Sequence, residues 1–440
     1  MRNTWKQMIL WATVIGLFSG CMAVPFPETT TQTTRLEEPF SEPSLRGVGQ
    51  TSSQTEPASA PEDSEVEDTT DFTTQVATEE PDPAETTLRK LTLEERIAQL
   101  FVVTPEALTN ATAPLQAVDE TIRDAFFRIP VGGVLCMGEN LKGQQQTANL
   151  CADLQALSLE RLGLPLFLCV DEEGGTVARI SGNPAFELPS IPPMAKVGAT
   201  GDPSRAHAIG KRIGAYLSDL GFNVDFAPDA DVLTNPKNQI VRSRSFGNSA
   251  ELVTQMASAF SEGLSEQGVL PCWKHFPGHG GTAEDSHKGF AVLHASMEEL
   301  LKSEEMSPFL SAARAGVPMI MTGHIAVPEA TGNSDPASLN EKLIGILRGP
   351  DVEYDGLLIT DSLGMRAVTQ LVSPGEAAVL ALQAGNDLLL VSDHLEEAYE
   401  SVLAAVEDGR ISEDRINESV RRILRCKQAL EAEERSREWQ

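Results

Sequence analysis

Short apolar runs recur along the chain: Leu100 to Thr104, Gly133 to Cys136, Leu164 to Val170, Phe222 to Ala227, Val269 to His275, Val317 to Gly323, Gly356 to Thr360 and Asp387 to Val391. They read as continuous rather than alternating hydrophobic segments, the pattern of strands buried on both faces. Between them lie segments with helical character, among them Gln144 to Leu162, Pro203 to Leu220, Ala250 to Gln267 and Met297 to Ala315. Strands alternating with helices predict parallel βαβ units. Eight of them predict an α/β fold of the closed (β/α)8 TIM-barrel type. A last helix is predicted from Ser412 as N-cap to about Lys427, with Ile416, Val420, Ile423 and Leu424 on one face, closing the ring. The alternative is a doubly wound open sheet, but no G-x-G-x-x-G turn follows the first strand.

Ahead of the first run this pattern vanishes. Residues 22–88 are rich in Thr, Ser, Pro and Glu and show neither helical nor strand period, so a disordered linker is expected there. As a flexible tether it would span roughly 45 Å root-mean-square. Residues 1–21 combine a positive start (Arg2, Lys6) with an apolar stretch from Met8 to Phe18 that is short for a membrane span. Phe18-Ser19-Gly20-Cys21 resembles a bacterial lipobox, with Phe18 in place of the usual leucine. Cys21 is therefore expected to be lipidated, giving an exported protein anchored to the cell membrane on its extracytoplasmic side. The expected organisation is a signal peptide over 1–21, the linker over 22–88, a single catalytic barrel over 89–430 and a charged tail over 431–440.

Charge narrows the classes of partner. With 34 Lys+Arg against 64 Asp+Glu the formal net charge is −30, which excludes nucleic-acid binding through basic patches. The linker carries −13 and residues 89–440 carry −19, so the body is acidic in its own right. A single apolar stretch excludes a multi-span membrane protein. After Cys21, an odd set of cysteines remains (Cys136, Cys151, Cys169, Cys272 and Cys426), mostly in apolar runs, which points to buried free thiols.

In a barrel the chemistry sits at the strand C-termini. The polar residues after the predicted strands are Asp171-Glu172-Glu173-Gly174-Gly175 with Arg179, then Asp225, Asn235 and Arg244-Ser245-Phe246-Gly247. Lys274-His275-Phe276-Pro277-Gly278-His279-Gly280 leads into Asp285-Ser286-His287, and His324 and Asp361 follow. Three of seven histidines fall between positions 275 and 287. One reading is a metal site with His275, His279, Asp285 and His287 as ligands, although glycines and Pro277 forbid the helical presentation such sites often use. The other is acid–base chemistry, with Asp285 orienting His287 and with Asp361, at a rigid strand tip, as nucleophile.

The block Lys274 to Gly280 followed by Asp285-Ser286-His287 resembles the signature of glycoside hydrolase family three, β-N-acetylglucosaminidase branch. Asp171 to Gly175, Arg244 to Gly247 and Ile359-Thr360-Asp361-Ser362-Leu363-Gly364-Met365 resemble further blocks of that family, and the resemblance runs from about Leu91 to Cys426. It implies a TIM barrel and a retaining exo-glycosidase removing terminal β-linked N-acetylglucosamine, with cell-wall muropeptides as a natural source. Asp361 would form the glycosyl-enzyme, and His287 paired with Asp285 would replace the second carboxylate of most retaining enzymes. Asp171, Arg179, Arg244, Lys274 and His275 would hold the sugar. No cofactor is implied, and the expected partners are a carbohydrate and, through the lipid, the membrane, with the chain monomeric. Thr176, Ala178 and Ser362 depart from the family pattern, which commonly has Arg, Gln and a second carboxylate there. The alternatives are a β-glucosidase-type or phosphorolytic relative on the same fold, or a glycan-binding lipoprotein without turnover.

Overall fold

The computed structural model describes residues 82–282 and 291–438. The signal, Cys21 and most of the expected linker lie outside these residues, as do Asp285 and His287. Eight parallel strands form one sheet: β1 (Phe101–Val103), β2 (Gly133–Leu135), β3 (Phe167–Val170), β4 (Val224–Asp225), β5 (Leu270–Phe276), β6 (Met319–Thr322), β7 (Leu357–Thr360) and β8 (Leu389–Val391). Their spatial order follows the chain, with β1 pairing β8 through Phe101↔Leu389 and Val103↔Val391. A bridge between Ile359 and Leu388 and a bond from Thr360 N–H to the Leu388 carbonyl (3.0 Å) join β7 to β8 and close the barrel. Seven strands fall inside their apolar runs, and β5 overruns its run by one residue, Phe276. The strand side chains are almost all buried because helices cover the outer face while the inner face packs on itself.

Helices Gln144–Leu162, Pro203–Asp219 and Ala250–Ser265 match the expected segments within two residues. The segment expected as one helix from Met297 to Ala315 is two, Met297–Leu301 and Ser307–Arg314. Ser303 bonds back to the Leu300 carbonyl and caps Met306 N–H, so its side chain competes with the helical ladder at the break. The body also begins before residue 89. Asp82 caps helix Pro83–Leu88, whose Ala84 and Leu88 are buried. The last helix runs beyond Lys427 to Glu438.

That last helix lies across the strand starts. Ser419 and Arg422 bond Asp387, just before β8; Arg422 also pairs with Asp355, before β7; Lys427 reaches Gln99, before β1. Asp82 and Glu85 pair with Arg425 and Arg421 of the same helix, so the chain enters the barrel at its base.

Lys427 is fully buried there, with Nζ 2.7 Å from Gln99 Oε1 and 5.1 Å from the Phe167 ring centroid. Burial pulls its amine down to about 7. Below that value the lysine is charged in both folded and unfolded chains. Between about pH 7 and 10 the folded chain has released a proton that the unfolded chain still holds, so stability rises with pH. Relative to Lys427→Met, the parent is expected to gain up to about 4 kcal/mol of unfolding free energy from pH 7 to 10, measured by urea melts of both proteins. A constant difference between them over that range would contradict this.

Candidate active site

All eight strand ends contribute to a cavity of about 350 Å³ at the opposite end of the barrel. Its walls carry Thr104, Met137, Asp171, Glu173, Arg179, Phe226, Arg244, Lys274, His275, Met321, Asp361, Ser362, Met365, Leu390 and Ser392. A hollow of about 410 Å³ at the base, lined by Cys151, Leu168, Asn223 and Leu430, has no comparable convergence of charged groups. The smaller cavity is the one with chemistry.

After β3 the chain stays extended over Glu172–Gly174, so Asp171 and Glu173 share one face and Glu172 takes the other. Lys274 Nζ lies between the first two, 2.7 Å from Asp171 Oδ1 and 2.8 Å from Glu173 Oε1. Arg244 donates to both oxygens of Glu173 at 2.7 Å, with its Nε 3.2 Å from Asp229 Oδ2. Burial opposes ionisation of Glu173, yet Arg244 and Lys274 outweigh it and hold the carboxyl far below its usual range. The same pairing with Asp171 and Glu173 overcomes burial at Lys274 and raises its amine. Two buried cations are thus matched to surrounding carboxylates, with Asp171 the more exposed acid.

Glu172 is structural. Its carboxylate accepts from Ile180 N–H and Ser181 N–H at 2.8 Å and from the Tyr216 hydroxyl at 2.7 Å, which fixes the turn that carries Arg179 to the cavity. Arg179 Nε is buried without a hydrogen-bond partner among the described residues, a donor available to a ligand.

His275 donates Nδ1–H to Asp231 Oδ2 at 2.8 Å, leaving Nε2 toward Arg244 Nη2 at 3.4 Å. Asp231 Oδ1 accepts the backbone N–H of both His275 and His279. Burial disfavours the Asp231 charge, but His275 overrides it and keeps the carboxyl low. His279 shapes the loop, its Nδ1 2.7 Å from Thr282 Oγ1, and burial lowers its imidazole. The loop then passes so close to the Val232 carbonyl that a Cβ on Gly280 would sit 1.6 Å from it; only glycine fits.

Asp361 follows β7. Its N–H donates to the Thr322 carbonyl (2.9 Å) and its Oδ1 accepts from Ser362 N–H (2.8 Å). The carboxylate lines the cavity and caps no helix; the next one, Arg366–Thr369, has Met365 at its N-cap.

The five residues expected to hold a sugar, Asp171, Arg179, Arg244, Lys274 and His275, all border this cavity with Asp361. Asp225 lies deeper than the rim position expected for it. It is fully buried, accepts from Glu172 N–H at 2.9 Å, and burial raises its carboxyl well above the usual range. His324 is likewise buried. Of the departures, Thr176 is exposed beside Ser243, and Ser362 shares a 2.9 Å hydroxyl contact with Ser392. Glu173, Asp229 and Asp231 were not singled out by sequence. Their signal was the two-residue spacing of acids on extended chain, which places Asp171 with Glu173 and Asp229 with Asp231.

Of the four ligands the metal alternative named, Asp285 and His287 lie outside the described residues. His275 and His279 already commit Nδ1 to Asp231 and Thr282. Asp229, Asp231 and His275 bring ligand atoms within 4.8 Å of one another, but Arg244 already stands against Asp229. A guanidinium there supplies the positive charge that an ion would bring. The free cysteines fit the expected buried thiols: Cys136, Cys151, Cys169 and Cys272 are buried, and burial pushes the Cys136 thiol up to about 12.

A family model, the glycosyl hydrolase family 3 N terminal domain, matches residues 92–426. The chain belongs to glycosyl hydrolase family 3. Among curated relatives it is 31% identical over 347 residues to beta-hexosaminidase A of Pseudoalteromonas piscicida, covering 73% of this chain and 57% of that protein. It is 33% identical over 278 residues to beta-hexosaminidase LpqI of Mycobacterium tuberculosis, covering 60% of this chain and 68% of LpqI. Among solved structures, a glycoside hydrolase family 3 beta-N-acetylglucosaminidase from Paenibacillus sp. str. FPU-7 superposes with a TM-score of 0.71 at 38% identity, over 78% of this chain and 63% of that one. The family 3 chain described here thus spans less than two thirds of two of these three relatives.

Proposed function

We propose that this protein is a retaining exo-glycosidase that hydrolyses terminal, non-reducing β-linked N-acetylglucosamine, with cell-wall muropeptides as its natural substrate class. One observation carries the reading: in a family 3 barrel, the strand-tip carboxylate Asp361 shares a cavity with the Lys274–Asp171, Arg244–Glu173 and His275–Asp231 pairs and with Arg179. The relatives named hexosaminidase and N-acetylglucosaminidase support the choice of sugar.

In the first step an Asp361 carboxylate oxygen attacks the anomeric carbon as the C1–O bond to the aglycone breaks. His287, oriented by Asp285, gives its proton to the departing oxygen. In the second step the same histidine takes a proton from water, which attacks C1 and frees Asp361 with overall retention. The parts assigned to His287 and Asp285 rest on the sequence motif, since both lie outside the described residues. Buried ion pairs suit ring hydroxyls because an analogue lacking one hydroxyl leaves a buried donor or acceptor unpaired. Apolar Met137, Val177, Phe226 and Met365 offer surface to the C–H face of the ring and to an acetyl methyl.

Lipidation of Cys21 and export to the outer side of the cell membrane belong to the same proposal. Asp82, the first described residue, pairs with Arg425 at the end of the barrel opposite the cavity.

The test is a panel of aryl β-glycosides, with and without phosphate. The N-acetylglucosaminide is expected to exceed glucoside and xyloside in kcat/KM by at least about 100-fold, since each lost polar contact in such a site is discriminating. Hydrolysis is expected to proceed without phosphate, releasing the β-anomer first in a proton NMR time course. A preferred glucoside, an α-anomer product, or turnover only with phosphate would each overturn the corresponding part.

A further inference from the structure

The turn that carries Asp361 rests on a buried polar circuit. Asp361 N–H donates to the Thr322 carbonyl, and Thr322 Oγ1 donates to Asn386 Oδ1 at 2.8 Å. Asn386 Nδ2 donates to the Ser338 carbonyl at 2.8 Å. Ser338 Oγ lies 2.7 Å from His324 Nδ1, and His324 Nε2 lies 2.8 Å from the Ser362 carbonyl, next to Asp361. Thr322, Ser338 and Asn386 are completely buried and His324 is 1% exposed. The circuit therefore starts and ends on the two residues of one turn, joining β6, β7, the Ala337–Leu339 turn and Asn386, three residues ahead of β8.

The ring orientation is fixed by chemistry. A carbonyl can only accept, so His324 Nε2 carries a proton and donates it to Ser362. The Ser338 hydroxyl meets the other nitrogen. On the far side of the turn Leu363 N–H bonds the Leu390 carbonyl at 2.9 Å. Ser362 is thus pinned from behind while its own N–H holds Asp361 Oδ1 at 2.8 Å. With the Ser362–Leu363 peptide held on both sides, the adjoining Ser362 N–H is steadied where it anchors one Asp361 oxygen, which sets the angle of the other.

We propose that His324 is a positioning residue for the nucleophile: acting through the Ser362 carbonyl, it fixes the angle at which Asp361 meets the anomeric carbon. This rests on Asp361 being the nucleophile. His324 is buried behind the turn and is not among the residues lining the cavity, so its removal is expected to slow attack without weakening sugar binding. Misplacing a reacting atom by about 1 Å costs on the order of 100-fold, which sets the size expected.

The experiment uses a 2,4-dinitrophenyl N-acetyl-β-glucosaminide, whose leaving group departs without protonation, so the acid–base histidine drops out of the first step. His324→Phe, which fills the site without a hydrogen bond, is expected to lower kcat/KM about 100-fold, and His324→Gln, which can still donate to Ser362, to stay within about 5-fold of the parent. Inhibition by free N-acetylglucosamine is expected to be unchanged in both. A folded His324→Phe protein with the parent kcat/KM, a Gln variant as slow as Phe, or an inhibition constant that rises in step with the rate loss would overturn the proposal. Should the Phe variant fail to fold, Ser338→Ala decides: about a 10-fold loss supports the circuit, and an unchanged rate contradicts it. Asp361→Gly assayed alongside separates the two readings. Full activity there removes the nucleophile assignment itself, whereas an inactive Asp361→Gly beside parent-like His324→Phe and Ser338→Ala refutes only the role of His324.

Discussion

An Asp361→Gly protein is expected to lose hydrolysis of aryl N-acetyl-β-glucosaminides by about 10⁴- to 10⁶-fold, the scale seen when a covalent nucleophile is removed. Loss alone would not distinguish a nucleophile from a residue that binds sugar, so the decisive arm is rescue. Glycine leaves a gap where the carboxylate stood, and sodium azide is small enough to enter it. Azide attacks C1 from the face Asp361 used, so the product of a β-glycoside is the α-glycosyl azide. Recovery of rate with azide, and that anomer by NMR, identify Asp361 as the attacking group. A β-azide or no product at all, in a folded variant that still binds N-acetylglucosamine, would move the nucleophile elsewhere. The carboxylate suits the part because it is half-buried on a strand tip, held through one oxygen by Ser362 N–H.

Glu173→Gln is the second large effect, and it falls on stability as well as rate. Glu173 is 1% exposed and holds Arg244 through two bonds and Lys274 through a third. An amide of the same shape removes the charge that two buried cations share. Breaking a buried ion set on one side costs about 3–5 kcal/mol, because the cations stay buried without full compensation. Turnover is expected to fall about 10²- to 10³-fold as Lys274 and Arg244 reorient. The sign with pH follows from the depressed carboxyl. The stabilisation from ionised Glu173 is complete above the unfolded carboxyl value of 4.5 and is lost as pH falls toward the folded one. Thermal melts of parent and variant should therefore differ most above about pH 5 and converge on acidification. Equal melting temperatures at pH 7, with unchanged affinity for N-acetylglucosamine, would show that the ion set carries neither load.

These two residues differ in how visible they were before the fold. Asp361 directly follows an apolar run and sits inside a recognisable block, so its position on a strand tip follows from local pattern. Glu173 sits within Asp171-Glu172-Glu173, where the letters do not reveal that the middle acid turns away to bind Ile180, Ser181 and Tyr216. Its partners Arg244 and Lys274 lie 71 and 101 residues further along the chain. The circuit under Asp361 was even less legible: His324, Ser338 and Asn386 are ordinary polar residues in separate loops until the barrel brings them together.

What the amino-acid sequence determined by itself is the barrel and the placement of Asp171, Arg179, Arg244, Lys274, His275 and Asp361 at one end of it. Parallel strands buried on both faces must be short and apolar throughout, and helices between them must be amphipathic, so eight repeats of that pattern are written locally. Chemistry at strand ends is local too, since each strand delivers its next residue to the same rim. Tertiary structure alone decided which acid pairs with which base, because those choices depend on distances between strands far apart in sequence. It decided that the last helix runs across the base, where burial of Lys427 and its bond to Gln99 make a lysine part of the core. It also decided that one face of the turn at Asp361 is held by neutral hydrogen bonds while its neighbours across the cavity are held by charge. A buried site can keep two cations only where carboxylates already surround them, and that condition exists only once the barrel has closed.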